Sequence, residues 1–158
     1  MPNWCRGVLK VKGKQDNIMR FLKEGLVSMN YGDDAIETSI EIVDDCWVDI
    51  KGGSFFYLKG THRQFIQSNF ISCCLEDFEE GGEEKVVAIE EMEGAWDIDT
   101  EGLRALSEEF NVDFKVYAFE RGMEFNRDVE IQKGKIIKNE VIRFENYNWE
   151  CINPNLGG

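Results

Sequence analysis

The chain is poor in cations. Eighteen Lys and Arg stand against 31 Asp and Glu over 158 residues, leaving a formal net charge of −13. Direct contact with DNA or RNA needs a basic footprint over the phosphates, which this balance opposes. Histidine is nearly absent. His62 is the only one, so any Ser–His or Cys–His catalytic pair must use it. It sits beside Arg63 in Gly60-Thr61-His62-Arg63. Long apolar runs are also missing, and nothing approaches the ~20 residues of a membrane span. The start, Met-Pro-Asn-Trp-Cys, lacks a basic stretch followed by an apolar one, so no secretory signal is expected and the reading is cytoplasmic. The five cysteines (Cys5, Cys46, Cys73, Cys74, Cys151) form no C-x-x-C pair. They read as free thiols in a reducing compartment, not as a disulfide framework, zinc ribbon or iron–sulfur site.

What is present is an ordinary folding composition with unusually segregated charge. A hydrophobic fraction of 42% and eleven Phe fit one folded domain spanning 1–158. Residues 33–49 hold seven acids and no Lys or Arg. Residues 76–101 hold twelve acids and only Lys85, so these two blocks contain 19 of the 31 acids. The first 29 residues lean the other way, with six bases against Asp16 and Glu24. Such a surface suits a basic partner and repels polyanions.

The periodicities predict an α+β chain. Alternation from Val8 gives a strand ended by Gly13. Asp16 then caps a helix carrying Ile18, Phe21, Leu22 and Leu26, with an end near Met29. Residues 36–43 alternate as a strand with Ile36, Ile40 and Ile42 on one side, and Asp44-Asp45 turns the chain into a strand at 46–50. Residues 54–58 form another strand, and Thr61 opens a short helix with Phe65 and Ile66. The stretch 68–74 has no readable pattern. An acidic Gly-rich loop follows near 76–85, then a strand at 86–92. Asp99 or Thr100 caps a helix with Leu103, Leu106 and Phe110 along one stripe. Asp113–Glu120 alternates cleanly, and strands at 127–133 and 135–145 meet in a tight turn at Lys133-Gly134-Lys135. The tail from about 150 is expected to fray. Helices separated by antiparallel hairpins point to an α+β sandwich with a β-α-β-β-α-β core and extra strands.

The opening Pro2-Asn3-Trp4-Cys5, followed by a strand with Leu9, Val11 and Gly13, resembles the YubB ferredoxin-like family of small phage and plasmid proteins. Lys59-Gly60-Thr61-His62-Arg63-Gln64-Phe65-Ile66 and Ala95-Trp96 ahead of a helix also fit it. The resemblance implies a ferredoxin-like sandwich with two helices on one face, a mobile-element origin and a bacterial host cell. It carries no activity with it.

The candidates for chemistry are thin. Asp97, Asp99 and Glu101 are spaced like part of a calcium loop but lack its central Gly and terminal bidentate Glu, and a helix cap explains Asp99 more simply. Gly52-Gly53 and Gly81-Gly82 lack the context of a phosphate loop. No metal, cofactor or catalytic set is therefore expected. The expected activity is binding: an acidic surface meeting a basic, nucleic-acid-binding host protein. In its sharpest form this is a nucleic-acid mimic that inhibits a defence or replication enzyme. The residues expected to carry it are Asp33, Asp34, Glu37, Asp44, Asp45, Glu76, Asp77, Glu79, Glu80, Glu83 and Glu84, with Trp96 as an aromatic anchor. A self-associating structural or regulatory module is the alternative, and an enzyme using His62 and Arg63 is a third reading.

Overall fold

A computed structural model describes residues 1–32 and 35–158. In chain order they form β1 (Trp4–Lys14), α1 (Gln15–Arg20) running into a π-helical turn (Phe21–Gly25), β2 (Leu26–Met29), β3 (Ser39–Ile42), β4 (Trp47–Lys51), β5 (Phe55–Leu58), β6 (Gln64–Ile66), β7 (Phe70–Cys74), β8 (Glu76–Asp77), β9 (Glu84–Ala95), α2 (Thr100–Phe110), β10 (Asp113–Glu120), β11 (Phe125–Gln132), β12 (Lys135–Arg143) and α3 (Tyr147–Glu150). The class is α+β and mostly antiparallel, as the alternating sequence suggested. No helix among the described residues is long and apolar enough to cross a membrane.

The large sheet runs β12-β11-β10-β1-β9-β6-β5-β2, with β8 added to β9; a second sheet is β3-β4-β7. β1 lies between β10 and β9, antiparallel to both. Its approach to β10 is close: a Cβ on Gly7 would sit 2.1 Å from the Tyr117 carbonyl oxygen, so that position admits no larger residue. Opposite Gly7–Leu9 the register shifts, and Glu91 on β9 takes a φ of +60°. This is a β-bulge in the centre of the sheet.

Side chains alternate across these strands. Leu9, Val11, Ile89, Phe114 and Val116 are buried in one cluster with Ile18, Phe21 and Leu22 from the first helical segment and Leu103, Leu106 and Phe110 from α2. Phe21 meets Phe110 and Phe114 edge-on, at 5.7 and 5.0 Å between ring centres. Each fully buried ring contributes roughly 2–3 kcal/mol. The alternate set on β1 and β10, Arg6, Lys10, Lys115 and Tyr117, is exposed.

Several local expectations hold. Asp99 caps α2, accepting from the Gly102 N–H at 3.0 Å, and β10 has the predicted bounds. Lys133 (φ +43°) and Gly134 (φ +82°) make the β11–β12 turn, both in the left-handed region that a two-residue hairpin turn requires.

Others are corrected. The helix from Asp16 does not reach Met29; it ends at Gly25, and Leu26–Met29 pairs with β5 instead. Leu26 and Ser28 are buried while Val27 and Met29 are partly exposed, a period of two that the helical reading of Leu26 missed. No helix opens at Thr61. Gly60 and Arg63 take positive φ, and Gln64–Ile66 pairs with β9. The unreadable stretch is β7. Ile42 and Ile36 do not form a buried side, being more than a third exposed. The tail does not fray: Cys151 is buried, and the Gly158 N–H donates to the Trp4 carbonyl at 2.8 Å.

Candidate functional site

β9 sets the geometry. It is 12 residues long, up to roughly 35 Å at the rise of an extended chain. Glu84 pairs with Lys14 at one end and Ala95 with Trp4 at the other.

Most of the acidic candidates gather at the Glu84 end. The Asp44-Asp45 turn joins β3 to β4, and the Asp45 N–H donates to the Asp44 carboxylate at 2.8 Å. The next residue, Cys46, accepts from the Leu75 N–H at 2.7 Å. That contact lays the turn beside Glu76 and Asp77, which pair with Val86 and Lys85. The loop beyond folds on itself, with the Phe78 N–H on the Glu84 carbonyl and the Gly82 N–H on that of Glu79. Asp44, Asp45, Glu76, Asp77, Glu79, Glu80 and Glu83 are exposed, and Glu84 is half-buried. Cations reach only some of them: Lys85 pairs with Asp77, Lys14 with Glu83 at 3.6 Å and Lys133 with Glu84 at 3.9 Å. Asp44, Asp45, Glu76, Glu79 and Glu80 have no cation within ion-pair distance among the described residues. Their charge projects into solvent.

The remaining candidates lie elsewhere. Glu37 faces an open depression of ≈ 820 Å³ with Met19, Arg20 and Lys23. Asp33 and Asp34 lie outside the described residues. Trp96 follows the far end of β9, 53% exposed, with φ +70° and its N–H on the Asn3 carbonyl at 2.8 Å. Met123, Trp149 and Ile152 are also exposed on the turn and tail at that end.

The groups considered for chemistry are engaged in structure. The Asp99 carboxylate caps α2 and also accepts from the His62 N–H at 2.7 Å, tying the Gly60–Arg63 turn to the helix. Asp97 pairs with the buried Arg127 guanidinium at 2.9 Å. Glu101 pairs with Arg104 at 3.0 Å. The thiols move away from reactivity. Burial, with the nearby Asp97 and Glu120 charges, pushes Cys5 up to about 12, against the opposing pull of Arg127. Burial and the neighbouring Cys74 push Cys73 up to about 11. A hydrogen bond with Cys46 leads the rise of Cys74 to about 11. A nucleophilic cysteine needs the opposite shift.

Sequence reasoning missed a groove over the central bulge. An open cavity of ≈ 660 Å³ is lined by Arg6, Val8, Glu90, Glu91, Tyr117 and Phe119, among others. A recess of ≈ 300 Å³ along Ser68, Phe70 and Ser72 shares Glu90 and Glu91 with it. The groove exists because Gln64–Asp77 pairs with β9 only at its two ends and leaves in the middle to join β4. Glu93, buried on the same strand, is neutralised by Arg6 at 2.5 Å. The available signal was Glu90-Glu91 interrupting the apolar run Val86–Ile89 and the alternation after it.

In comparisons with models of protein families, with curated proteins and with solved structures, the chain matches none.

Proposed function

We propose that this protein is a non-enzymatic binding module that engages a basic partner through its acidic end. The observation that carries the reading is the set Asp44, Asp45, Glu76, Glu79 and Glu80. These carboxylates are exposed, lack cations among the described residues, and are drawn to one end by the Leu75–Cys46 hydrogen bond. A compact field of this kind accelerates encounter with a positively charged groove. In the finer form of the proposal the carboxylates stand in for nucleic-acid phosphates, and the partner is a nucleic-acid-binding host protein such as a defence or replication enzyme. The structural engagement of Asp97, Asp99 and Glu101 supports a binding role over a catalytic one.

The finer fold belongs to the same proposal. The order β10-β1-β9-β6, with helices after β1 and β9, has the connectivity of a β-α-β-β-α-β core with added strands. The shared cluster of both helical segments with β1, β9 and β10 supports placing them on one face. This is the ferredoxin-like sandwich, and with the Pro2–Cys5 resemblance it supports a phage or plasmid origin and a cytoplasmic setting in a bacterial host.

Passing bacterial lysate over immobilised protein at low ionic strength tests the reading. Nucleic-acid-binding proteins should be retained, released by salt, and displaced by added duplex DNA. Neutralising the five carboxylates (Asp44→Asn, Asp45→Asn, Glu76→Gln, Glu79→Gln, Glu80→Gln) should reduce retention by roughly tenfold. Retention of no such protein, or an unchanged set on the neutralised variant, overturns the proposal.

A further inference from the structure

β12 is an edge of the large sheet, nine residues long, and its outer row of backbone donors and acceptors has no strand beside it among the described residues. Such an edge is a template for another strand. Its side chains divide by face. Asn139 reaches Arg127 at 2.6 Å, and Val141 pairs with Arg127 in the ladder. Ile137, Asn139 and Val141 are therefore on the Arg127 side. Lys138 reaches Asp128 at 3.2 Å on the opposite side, where Glu140 also pairs with Asp128 in register. Ile137 and Val141 are each 48% exposed.

We propose that β12 pairs antiparallel with β12 of a second copy of this chain, about a two-fold axis at Asn139. Two copies of one strand pairing antiparallel must centre on a residue, because outward-pointing amides face only outward-pointing amides. Centring on Asn139 uses the whole strand, since Lys135 and Arg143 are equidistant from it. It sets Lys138 opposite Glu140 and Ile137 opposite Val141, each pair occurring twice. Moving the centre to Lys138 or Glu140 sets like charges face to face, and centring on Ile137 or Val141 sets a charge opposite an isoleucine. Only the Asn139 register matches charge with opposite charge and apolar with apolar. At the axis, the Asn139 carboxamide oxygen is held by Arg127. The same oxygen also accepts from the Thr100 hydroxyl at 3.2 Å.

Lys135 and Arg143 oppose each other at the two ends of the ladder, and the register irregularity opposite Glu130 and Ile131 distorts the strand's first residues. Both weaken the pairing, and the association is reversible. The axis runs perpendicular to the sheet, so the pair carries its two acidic ends on opposite sides. The inference does not depend on what those ends bind.

Sedimentation over a concentration series tests it, with circular dichroism confirming that each variant folds. The protein should form a dimer at about 100 μM. Glu140→Lys or Lys138→Glu should each weaken it at least ~10-fold, and the double exchange Lys138→Glu/Glu140→Lys should restore it. A monomer at every concentration, or a dimer indifferent to Glu140→Lys, overturns the proposal. So does a dimer weakened by both single changes and not rescued by the double.

Discussion

The two ends of β9 use charge in opposite ways. At the Glu84 end, five carboxylates on the β3–β4 turn, β8 and the loop after it point into solvent without cations among the described residues. At the Trp4 end several charged and polar groups are buried and held by neighbours. Arg127 is inside, ion-paired with Asp97 and hydrogen-bonded to Asn139 and Thr100. Glu120 is fully buried and accepts the N–H groups of Gly122 and Met123 at 2.7 Å each. Tyr147 donates to Asn126 at 2.9 Å beside Cys151. A buried charge lowers the free energy only while its partners stay in place; an exposed one is free to meet something else. The Trp4 end therefore holds the fold, and the Glu84 end is available for recognition.

The largest expected effect follows from removing a charge at the holding end. Arg127→Met takes away the group that links the β9–α2 connection, α2 and β12. Unfolding in denaturant should show a loss of about 2–4 kcal/mol, below the full penalty for a buried pair because Asp97 is half exposed and can be solvated. A loss under ~0.5 kcal/mol would erase the contrast between the ends.

Cys5 gives a test in pH. Its thiol is pushed up to about 12 in the folded chain, from an ordinary value of 9.0. A raised pKa means the folded state holds the proton more tightly. The stabilisation is thus complete below pH 9 and is lost as pH rises toward 12. Stability should fall through that range by up to ~1.4 kcal/mol per pH unit from this one thiol. Cys5→Ala should flatten part of the slope, and neutralising the acidic end should leave it unchanged. An identical slope with Cys5→Ala would assign the alkaline loss to other groups.

Asp99→Ala should have a smaller effect, about 1–2 kcal/mol. It removes the α2 cap and also releases the His62 N–H, so amide exchange should quicken in both 60–63 and the first turn of α2. Faster exchange in the helix alone would show that the turn stands without it.

What the sequence made legible was local. Asp113–Glu120 alternates because one face of β10 is buried and the other exposed. The Asp99 cap and the Leu103, Leu106 and Phe110 stripe are complete within one helix. Lys133-Gly134 declares its turn through backbone conformation. The misreadings came from distant contacts. Leu26 fits a helical stripe until β5 pairs with its segment. Gln64 is buried with its side-chain NH2 donating to the Asp97 carbonyl at 3.0 Å, a residue that no window around Thr61 contains. β7 alternates, but with Phe70 outward and Cys73 inward, so its polarity masks its period. The tail is fixed by Trp4 and Asn126. The candidate surface was half visible for the same reason. The two acidic blocks stand out in composition, whereas the contact that brings Asp44 and Asp45 to Glu76, and leaves Glu37 and Trp96 apart, spans 29 residues from Cys46 to Leu75.

The smallest effect on stability is expected at the recognition end. Neutralising Asp44, Asp45, Glu76, Glu79 and Glu80 removes no ion pair and no buried group. Unfolding free energy should therefore change by under ~0.5 kcal/mol, and upward if at all, because five like charges repel one another. The gain should fade as salt screens that repulsion. A substantial loss of stability from the same five changes would mean that these carboxylates hold the β3–β4 turn and the 78–83 loop in place. The acidic end would then be a second structural end, and its exposure would no longer argue for a partner.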